Sequence, residues 1–325
     1  MRFLVTGGAG YIGSHMVKYL QDKKASVLVI DNFSTGNPWS ISKCEIIKLD
    51  LLDKDKLGNV LKGKKFDAVF HFAANSSVPE SYKYPNKYLK DNLNSTKNLT
   101  NQMLTNGNHK LIFSSSASIY GDVPFKINEN TPKNPINAYG KSKLLCEELL
   151  EDLSIVSKLK YVSLRYFNAA GADKDNKIGE FHNPETHLIP SIFSSFSNKK
   201  PIKVHGDDYN TKDGTCIREF VHVSDLVDAH FKAFKMLQDK NESDSFNLSS
   251  EKAYSVLEII HHCQRIIGKK IDYIKCKRRI GDPEILISDC SKAMKLLNWK
   301  PLHSDIENII RSAWNWYKFH KKNLL

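Results

Sequence analysis

The chain has 325 residues, of which 41% are hydrophobic and 26% charged, with a formal net charge of +12. That length allows one large or two moderate domains, and that composition is of a globular protein rather than a disordered or fibrous one. No stretch approaches the roughly 20 apolar residues of a membrane helix, and the first strand already belongs to a glycine motif that a cleaved leader would destroy, so neither a membrane anchor nor a signal peptide is expected. The positive excess is nearly all lysine and is scattered, with Lys-Lys pairs such as Lys23-Lys24, Lys199-Lys200 and Lys321-Lys322 at expected loops and helix ends. This favours a solvated surface over a nucleic-acid or membrane face. None of Cys44, Cys146, Cys216, Cys263, Cys276 and Cys290 forms a C-x-x-C pair or has metal-ligand spacing with His. No disulfide framework and no metal are expected, and a cytoplasmic location is.

The first predicted strand, Arg2-Phe3-Leu4-Val5, runs into Thr6-Gly7-Gly8-Ala9-Gly10-Tyr11-Ile12-Gly13, and a helical pattern follows over Tyr11 to Gln21. Gly7, Gly10 and Gly13 have the spacing of a dinucleotide fingerprint: one glycine permits the turn, one lets backbone N–H groups approach a pyrophosphate, and one lets the helix pack on the strand. A second strand, Ser26 to Ile30, ends in Asp31, whose carboxylate can accept from adenosine ribose hydroxyls. It would repel a 2′-phosphate, and no Arg follows within Asn32-Phe33-Ser34-Thr35-Gly36, so NAD is favoured over NADP. Further strands are predicted at Ile46 to Leu49 (ending in Asp50), Phe66 to Phe72, Lys110 to Ser114 and Leu159 to Tyr166, with helices at Asp53 to Leu61, Pro85 to Leu104 and Ala138 to Val156. Alternation of this kind implies right-handed crossovers and an α/β fold with a doubly wound parallel sheet of Rossmann type. Asp31, Asp50, Phe72-Ala73-Ala74 and Ser114-Ser115-Ser116 all fall at strand C-termini and should line one crevice.

After Gly171 the alternation fades into loops over Ala172 to Thr186 and Gly206 to Gly214, with later helices at His187 to Phe196, Val223 to Leu237, Val256 to Ile267, Ser291 to Leu297 and Asp305 to Phe319. The expected division is a cofactor-binding domain, 1–170, and a smaller mixed α/β substrate lobe, 171–325, some segments of which return to the first domain's sheet. His261-His262-Cys263 lies in a helical apolar pattern and reads as a packed helix, not a metal site.

Tyr139 and Lys143 stand four residues apart on a predicted helix and so share a face. A nearby ammonium would lower the phenol's pKa from about 10 toward neutrality, and Tyr139 would then act as general base toward an alcohol while NAD takes the hydride. Lys143 can also hydrogen-bond the nicotinamide ribose. Ser116, with Ser114 and Ser115 as competitors, can hydrogen-bond the same substrate hydroxyl.

The chain resembles the UDP-glucose 4-epimerase (UDP-galactose 4-epimerase) family of the extended short-chain dehydrogenase/reductase superfamily. The resemblance rests on the glycine segment, His71-Phe72-Ala73-Ala74, Phe113-Ser114-Ser115-Ser116, Tyr139-Gly140-Lys141-Ser142-Lys143 and Arg165-Tyr166-Phe167-Asn168 in the first half. In the second half it rests on His187-Leu188-Ile189-Pro190, Arg218-Glu219-Phe220 and Arg279-Ile280-Gly281-Asp282. It implies that Tyr139 takes the proton of a sugar 4-hydroxyl, that a 4-keto intermediate turns over in the site, and that NAD is regenerated and retained. It further implies NAD contacts from Gly7, Gly10, Tyr11, Ile12, Gly13, Asp31, Asn32, Asp50, Leu51, Phe72, Ala73, Ala74, Asn92, Ser114 and Tyr166, alongside Tyr139 and Lys143. UDP-sugar contacts would come from Ser116, Asn168, His187, Leu188, His205, Arg218, Arg279 and Asp282. The arginines suit a pyrophosphate because guanidinium is a bidentate donor, and arginine is otherwise rare here. The family commonly forms homodimers, and the helices at Pro85 to Leu104 and Ala138 to Val156 are the candidate faces.

There are departures from the family pattern. Ser81-Tyr82-Lys83-Tyr84-Pro85 has Tyr84 where many members have Lys, and Asn247-Leu248-Ser249-Ser250-Glu251-Lys252-Ala253 lacks the usual glycine-rich turn, which suggests a local loop change. Leu286 falls at the position expected to gate the sugar pocket, and its size suggests tolerance of N-acetylated sugars. A dehydratase or decarboxylase reading is opposed by Ala117-Ser118, which place no carboxylate beside Ser116. A non-catalytic NAD- or RNA-binding reading is opposed by the Tyr139/Lys143 pair. UDP-N-acetylhexosamine and UDP-pentose remain alternatives to UDP-galactose and UDP-glucose.

Overall fold

A computed structural model of the chain describes residues 1–323. In chain order the elements are β1 (Arg2–Thr6), α1 (Tyr11–Asp22), β2 (Ser26–Asp31), β3 (Glu45–Lys48), α2 (Lys54–Leu61), β4 (Ala68–His71), α3 (Val78–Lys83), α4 (Pro85–Thr105), β5 (Lys110–Ser114), α5 (Ala138–Val156), β6 (Lys160–Tyr166) and β7 (Asn168–Ala170). They continue with α6 (Leu188–Ser197), β8 (Ile202–His205), β9 (Ile217–His222), α7 (Val223–Lys240), β10 (Asp244–Leu248), β11 (Ala253–Ser255), α8 (Val256–Ile267), β12 (Tyr273–Cys276), β13 (Ile285–Leu286), α9 (Ser291–Leu296) and α10 (Ile306–Asn323).

Seven strands form one sheet in the order β10-β6-β5-β4-β1-β2-β3, and every pairing in it is parallel. The apolar run of β1 shows why both faces must be covered. Phe3 and Val5 pack with Met16, Val17 and Leu20 of α1 and with Leu226 and Phe234 of α7. Leu4, between them, points the other way, to Leu57, Leu99, Cys146 and Leu150 of α2, α4 and α5. Fully burying such a side chain stabilises by roughly 1.5–3 kcal/mol, so two helical layers hold the sheet. The strand order reverses at β1, which has β2 on one side and β4 on the other. A crevice opens at the strand C-termini of such a switch point.

The expected strands and long helices form within about two residues of their predicted bounds, except that α7 and α10 run on past their predicted ends at Leu237 and Phe319 to Lys240 and Asn323. Phe66 is left out of β4 because its N–H takes the Asn108 Oδ1 (2.8 Å) instead of a strand partner. The seventh strand, β10, comes from the second half of the chain and pairs with β6, with Asp244 opposite Val162 and Leu248 opposite Tyr166. The remaining strands make a small sheet, β11-β9-β13 with β7 also on β9, and a ribbon of β12 with β8. Around them Ile189, Ile192 and Phe193 of α6, Ile259 and Cys263 of α8 and Ile309 and Ile310 of α10 form a separate core. Cys263 is fully buried there, so His261-His262-Cys263 lies on a packed helix. All six cysteines are free thiols. No helix of the described residues is long and apolar enough to cross a membrane.

Candidate active site

One cavity of about 1050 Å³ lies between the strand C-termini and the smaller core. The glycine turn forms its floor. Gly7 has φ +70°, and a Cβ there would lie 2.5 Å from the Ala73 backbone nitrogen. A Cβ on Gly13 would lie 2.1 Å from the Gly7 carbonyl oxygen, so α1 reaches the turn only without a side chain at that position. Helix α1 begins at Gly10 with no side-chain cap and no acidic residue in its first turn. Its first N–H groups therefore have no side-chain partner, at the end of the helix that attracts anions. Asp31 is fixed by the N–H groups of Ala9 (2.9 Å) and Phe33 (2.8 Å), and Asn32 Nδ2 donates to Asp50 Oδ2 (3.0 Å). A backbone cradle followed by an oriented carboxylate fits a dinucleotide's pyrophosphate and ribose.

Gly7, Gly10, Tyr11, Ile12, Gly13, Asp31, Asn32, Asp50, Leu51, Phe72, Ala73, Ala74, Asn92, Ser114 and Tyr166 all line this cavity. Two of them are heavily used within the protein. Asn92 accepts from the Asn75 N–H (2.8 Å) and donates to Asn75 O (3.0 Å) and Ser142 Oγ (2.8 Å), so it braces the turn after β4. Tyr11 OH donates to the Gly171 carbonyl (2.6 Å), linking α1 to the segment after β7.

Ser116, Tyr139 and Lys143 line the same cavity. Helix α5 delivers the last two because Asn137 caps it, accepting from the Gly140 N–H at 2.8 Å. Ser116 ends the segment after β5, and its Oγ accepts from the Ser118 N–H (3.1 Å). Lys143 Nζ donates to the Ser114 carbonyl (2.7 Å) and lies 6.0 Å from the centre of the Tyr139 ring. The titration differs from the sequence expectation. Burial raises the Tyr139 pKa, opposed by the hydrogen bond with Ser116. Burial also lowers Lys143 to about 8, against the pull of Cys146 and Glu147. The ammonium expected to activate the phenol is itself desolvated and turned to a carbonyl. Ser115, expected in the crevice, instead turns into the core and donates to Glu147 Oε1 (2.6 Å). Ser114 Oγ pairs with Tyr166 OH, and burial holds that phenol's pKa well up.

The same cavity is lined by Asn168, His187, Leu188, His205, Arg218, Arg279 and Asp282. Asn168 Nδ2 donates to the Glu219 carbonyl (2.7 Å). Arg218 is braced by the carbonyls of Ile217 (2.8 Å) and Pro283 (2.6 Å) and has Asp282 at 3.9 Å. Among the described residues Arg279 pairs with no carboxylate, and with burial it lowers the pKa of His205. Helix α6 begins at His187 without a side-chain cap, a second helix N-terminus on this cavity. Burial would lower the pKa of His187, but Glu180 and Glu185 outweigh it and hold the imidazole at about 10.

Three outcomes depart from expectation or were not foreseen. Leu286, the expected gate, is not among the cavity-lining residues. It packs against the cluster of Ala117, Ile119, Leu144 and Phe167. Tyr84, in place of the usual lysine, is 57% exposed, while Lys87 one turn later lines the cavity and pairs with Glu80 (3.0 Å). Tyr84 caps α4 and Lys87 stands three residues later in its first turn, and that spacing was the available signal. Glu180 and His182 also line the cavity. They lie in a loop whose spacing has neither helical nor strand periodicity to flag them.

A doubly wound sheet with an uncapped glycine turn, a carboxylate closing β2 and a Tyr–Lys pair beside a serine marks an NAD-dependent enzyme of the short-chain dehydrogenase type. More narrowly, the chain belongs to the NAD dependent epimerase/dehydratase family, whose model matches residues 3–249. It is 45% identical to a UDP-glucose 4-epimerase of Lactobacillus helveticus over 327 residues, covering 99% of this chain and 98% of that one. Among solved structures, UDP-glucose 4-epimerase of Brucella ovis in complex with NAD is 39% identical, with a TM-score of 0.92 over 97% of each chain. The enzyme of Bifidobacterium longum in complex with NAD+ and UDP is 34% identical, with a TM-score of 0.93 over 100% of this chain and 99% of that one.

Proposed function

We propose that the chain is an NAD-dependent epimerase that inverts C4 of a UDP-sugar, interconverting UDP-galactose and UDP-glucose through a transient 4-keto sugar. The observation that carries this reading is that a dinucleotide cradle, Tyr139 and a pair of arginines, Arg218 and Arg279, line one and the same cavity. NAD, when bound, supplies a reversible hydride acceptor for C4. The cradle from Gly7 to Gly13, Asp31 and the turn of Phe72 to Ala74 hold it. Tyr139 takes the proton of the 4-hydroxyl and returns it, Ser116 orients that hydroxyl, and Lys143 orients the cofactor side of the site. Arg218 and Arg279 bind the substrate's pyrophosphate by paired N–H donors, and Asn168, Leu188 and Asp282 position the rest. In this reading residues 1–170 with α7 and β10 form the cofactor unit, and the smaller core carries the sugar nucleotide. The six free thiols accord with a reducing, cytoplasmic setting. Pairing of two chains through α4 and α5 accords with the exposed Ile155 (75%) and Val156 (79%) at the end of α5. Sedimentation at twice the 37.0 kDa chain mass would bear that out, and a monomer would refute it.

The test is product separation after incubation with UDP-galactose. Wild type should reach an equilibrium mixture with UDP-glucose without net NADH accumulating. Tyr139→Phe should lose on the order of 10²–10⁴-fold in kcat, the usual worth of a positioned general acid–base. Unchanged turnover by that variant would remove Tyr139 from the chemistry. Wild type without turnover of any UDP-sugar would overturn the activity itself.

A further inference from the structure

The loop leading into α6 brings together Glu180, His182, Glu185 and His187, each offering one ligand atom, with all four atoms within 4.8 Å of one another. His187 Nδ1 lies 3.0 Å from Glu180 Oε1 and 3.1 Å from Glu185 Oε1. His182 Nδ1 lies 3.6 Å from Glu180 Oε1 and 3.5 Å from Glu185 Oε2. A tetrahedral zinc ion with bonds of about 2.0–2.1 Å has ligand–ligand edges of roughly 3.3–3.4 Å, and the distances from Glu180 Oε1 to the two imidazole nitrogens, 3.0 and 3.6 Å, lie on either side of that length.

The surroundings suit a cation. The Glu180 and Glu185 side chains are only 7% and 17% exposed, and among the described residues neither pairs with a lysine or arginine. Carboxylates held so far from water are stabilised by a cation placed between them. His182 Nδ1 is buried without a hydrogen-bond partner. Glu185 Oε1 is oriented by the N–H groups of Thr186 and His187 (2.8 Å each), and the backbone carbonyl of Glu180 is held by Trp316 Nε1 (3.2 Å). Outer contacts of this kind fix first-sphere ligands in metal sites.

We propose that Glu180, His182, Glu185 and His187 form a four-coordinate site for a divalent transition-metal cation of zinc type, which pins the loop to the first turn of α6 on the cavity wall. Imidazole nitrogen with carboxylate oxygen favours zinc or a neighbouring first-row ion over magnesium or calcium, which prefer all-oxygen shells. The site's part is structural, because it closes on four protein ligands. It does not depend on the epimerase reading.

The test uses the full, tag-free chain, stripped with a chelator and dialysed first against Zn2+ alone and then against metal-free buffer. Elemental analysis should find about one zinc per chain, and Co2+ in its place should give the intense visible bands of four-coordinate cobalt. His182→Gln and Glu185→Gln, each checked for native circular dichroism, should weaken zinc binding tenfold or more. Wild type retaining less than about 0.1 zinc per chain, or a weak six-coordinate cobalt spectrum, overturns the site whatever the variants do. Full zinc retention by both variants places the metal elsewhere and overturns it equally.

Discussion

Lys143 is 2% exposed, its ammonium bonded to the Ser114 carbonyl (2.7 Å) and set over the Phe113 ring (4.9 Å from its centre). Burial pushes Lys143 down and Tyr139 up, so the two groups drift toward a neutral pair rather than an ammonium and a phenolate. The consequence for stability has a definite sign. Below about 8, the folded-state value, Lys143 is charged in both folded and unfolded chains and the full desolvation cost opposes folding. Between about 8 and the ordinary 10.5, unfolding takes up a proton, so stability rises with pH. The raised Tyr139 works against this only above its ordinary value of 10. For nucleotide-free protein, wild type should therefore gain about 2 kcal/mol relative to Lys143→Met between pH 7.5 and about 9.5. Thermal unfolding of the two proteins across that range measures it, and a constant difference between them would refute the buried-lysine account.

At the scale of elements, the turn between β10 and β11 shows how a departure in sequence is absorbed. No glycine stands there, yet Glu251 takes φ +58°, a left-handed conformation that costs a side-chain-bearing residue roughly 1–2 kcal/mol. Its N–H donates to Ser249 Oγ (3.1 Å), and its carboxylate accepts from Lys126 (3.0 Å) and the Cys290 N–H (3.3 Å). Glu251→Ala removes those side-chain bonds and keeps the strain, while Glu251→Gly removes both. The glycine variant should therefore be about 1 kcal/mol more stable than the alanine variant, read from urea midpoints. Equal midpoints would mean that the turn is not strained. The same contrast explains what the sequence disclosed. Strands β1 to β6 and the helices between them carry long apolar patterns and glycine or Asx punctuation, so they were legible. The six-residue α3, the three-residue β7 and β11 and the two-residue β13 are too short for a period to show. They exist because neighbours pair with them. The expected NAD and UDP-sugar contacts line the cavity because motif positions at strand ends are fixed by topology. The side-chain directions of Ser115 and Leu286 depend on distant packing that no local pattern records.

At the scale of the whole molecule, one buried polar network joins the helix that carries Tyr139 and Lys143 to a strand from the second half of the chain. Glu147, one turn after Lys143 on α5, receives Arg165 of β6 through Nη2 (2.6 Å) and Nε (2.9 Å), and Ser115 Oγ at 2.6 Å. Arg165 Nη1 donates to Tyr120 OH (2.8 Å), which donates to Asn247 of β10 (2.8 Å), whose own N–H donates to Glu129 (2.8 Å). The Glu147 and Arg165 side chains are 5% and 3% exposed, so neither has water to fall back on. Removing one partner leaves an uncompensated charge, whereas replacing both by apolar groups of similar volume removes the desolvation cost along with the attraction. Glu147→Ala should therefore destabilise by about 3–5 kcal/mol, and Glu147→Leu with Arg165→Met should recover most of that. The network also fixes Ser115, next to Ser116, and the helix that carries Tyr139. The double variant should accordingly stay folded yet lose kcat more than it changes KM, because the reacting groups lose their relative placement rather than their ability to bind. Unfolding curves with steady-state kinetics on the same preparations separate the two effects. A double variant with wild-type kcat would show that the network holds the two halves together without aligning the site.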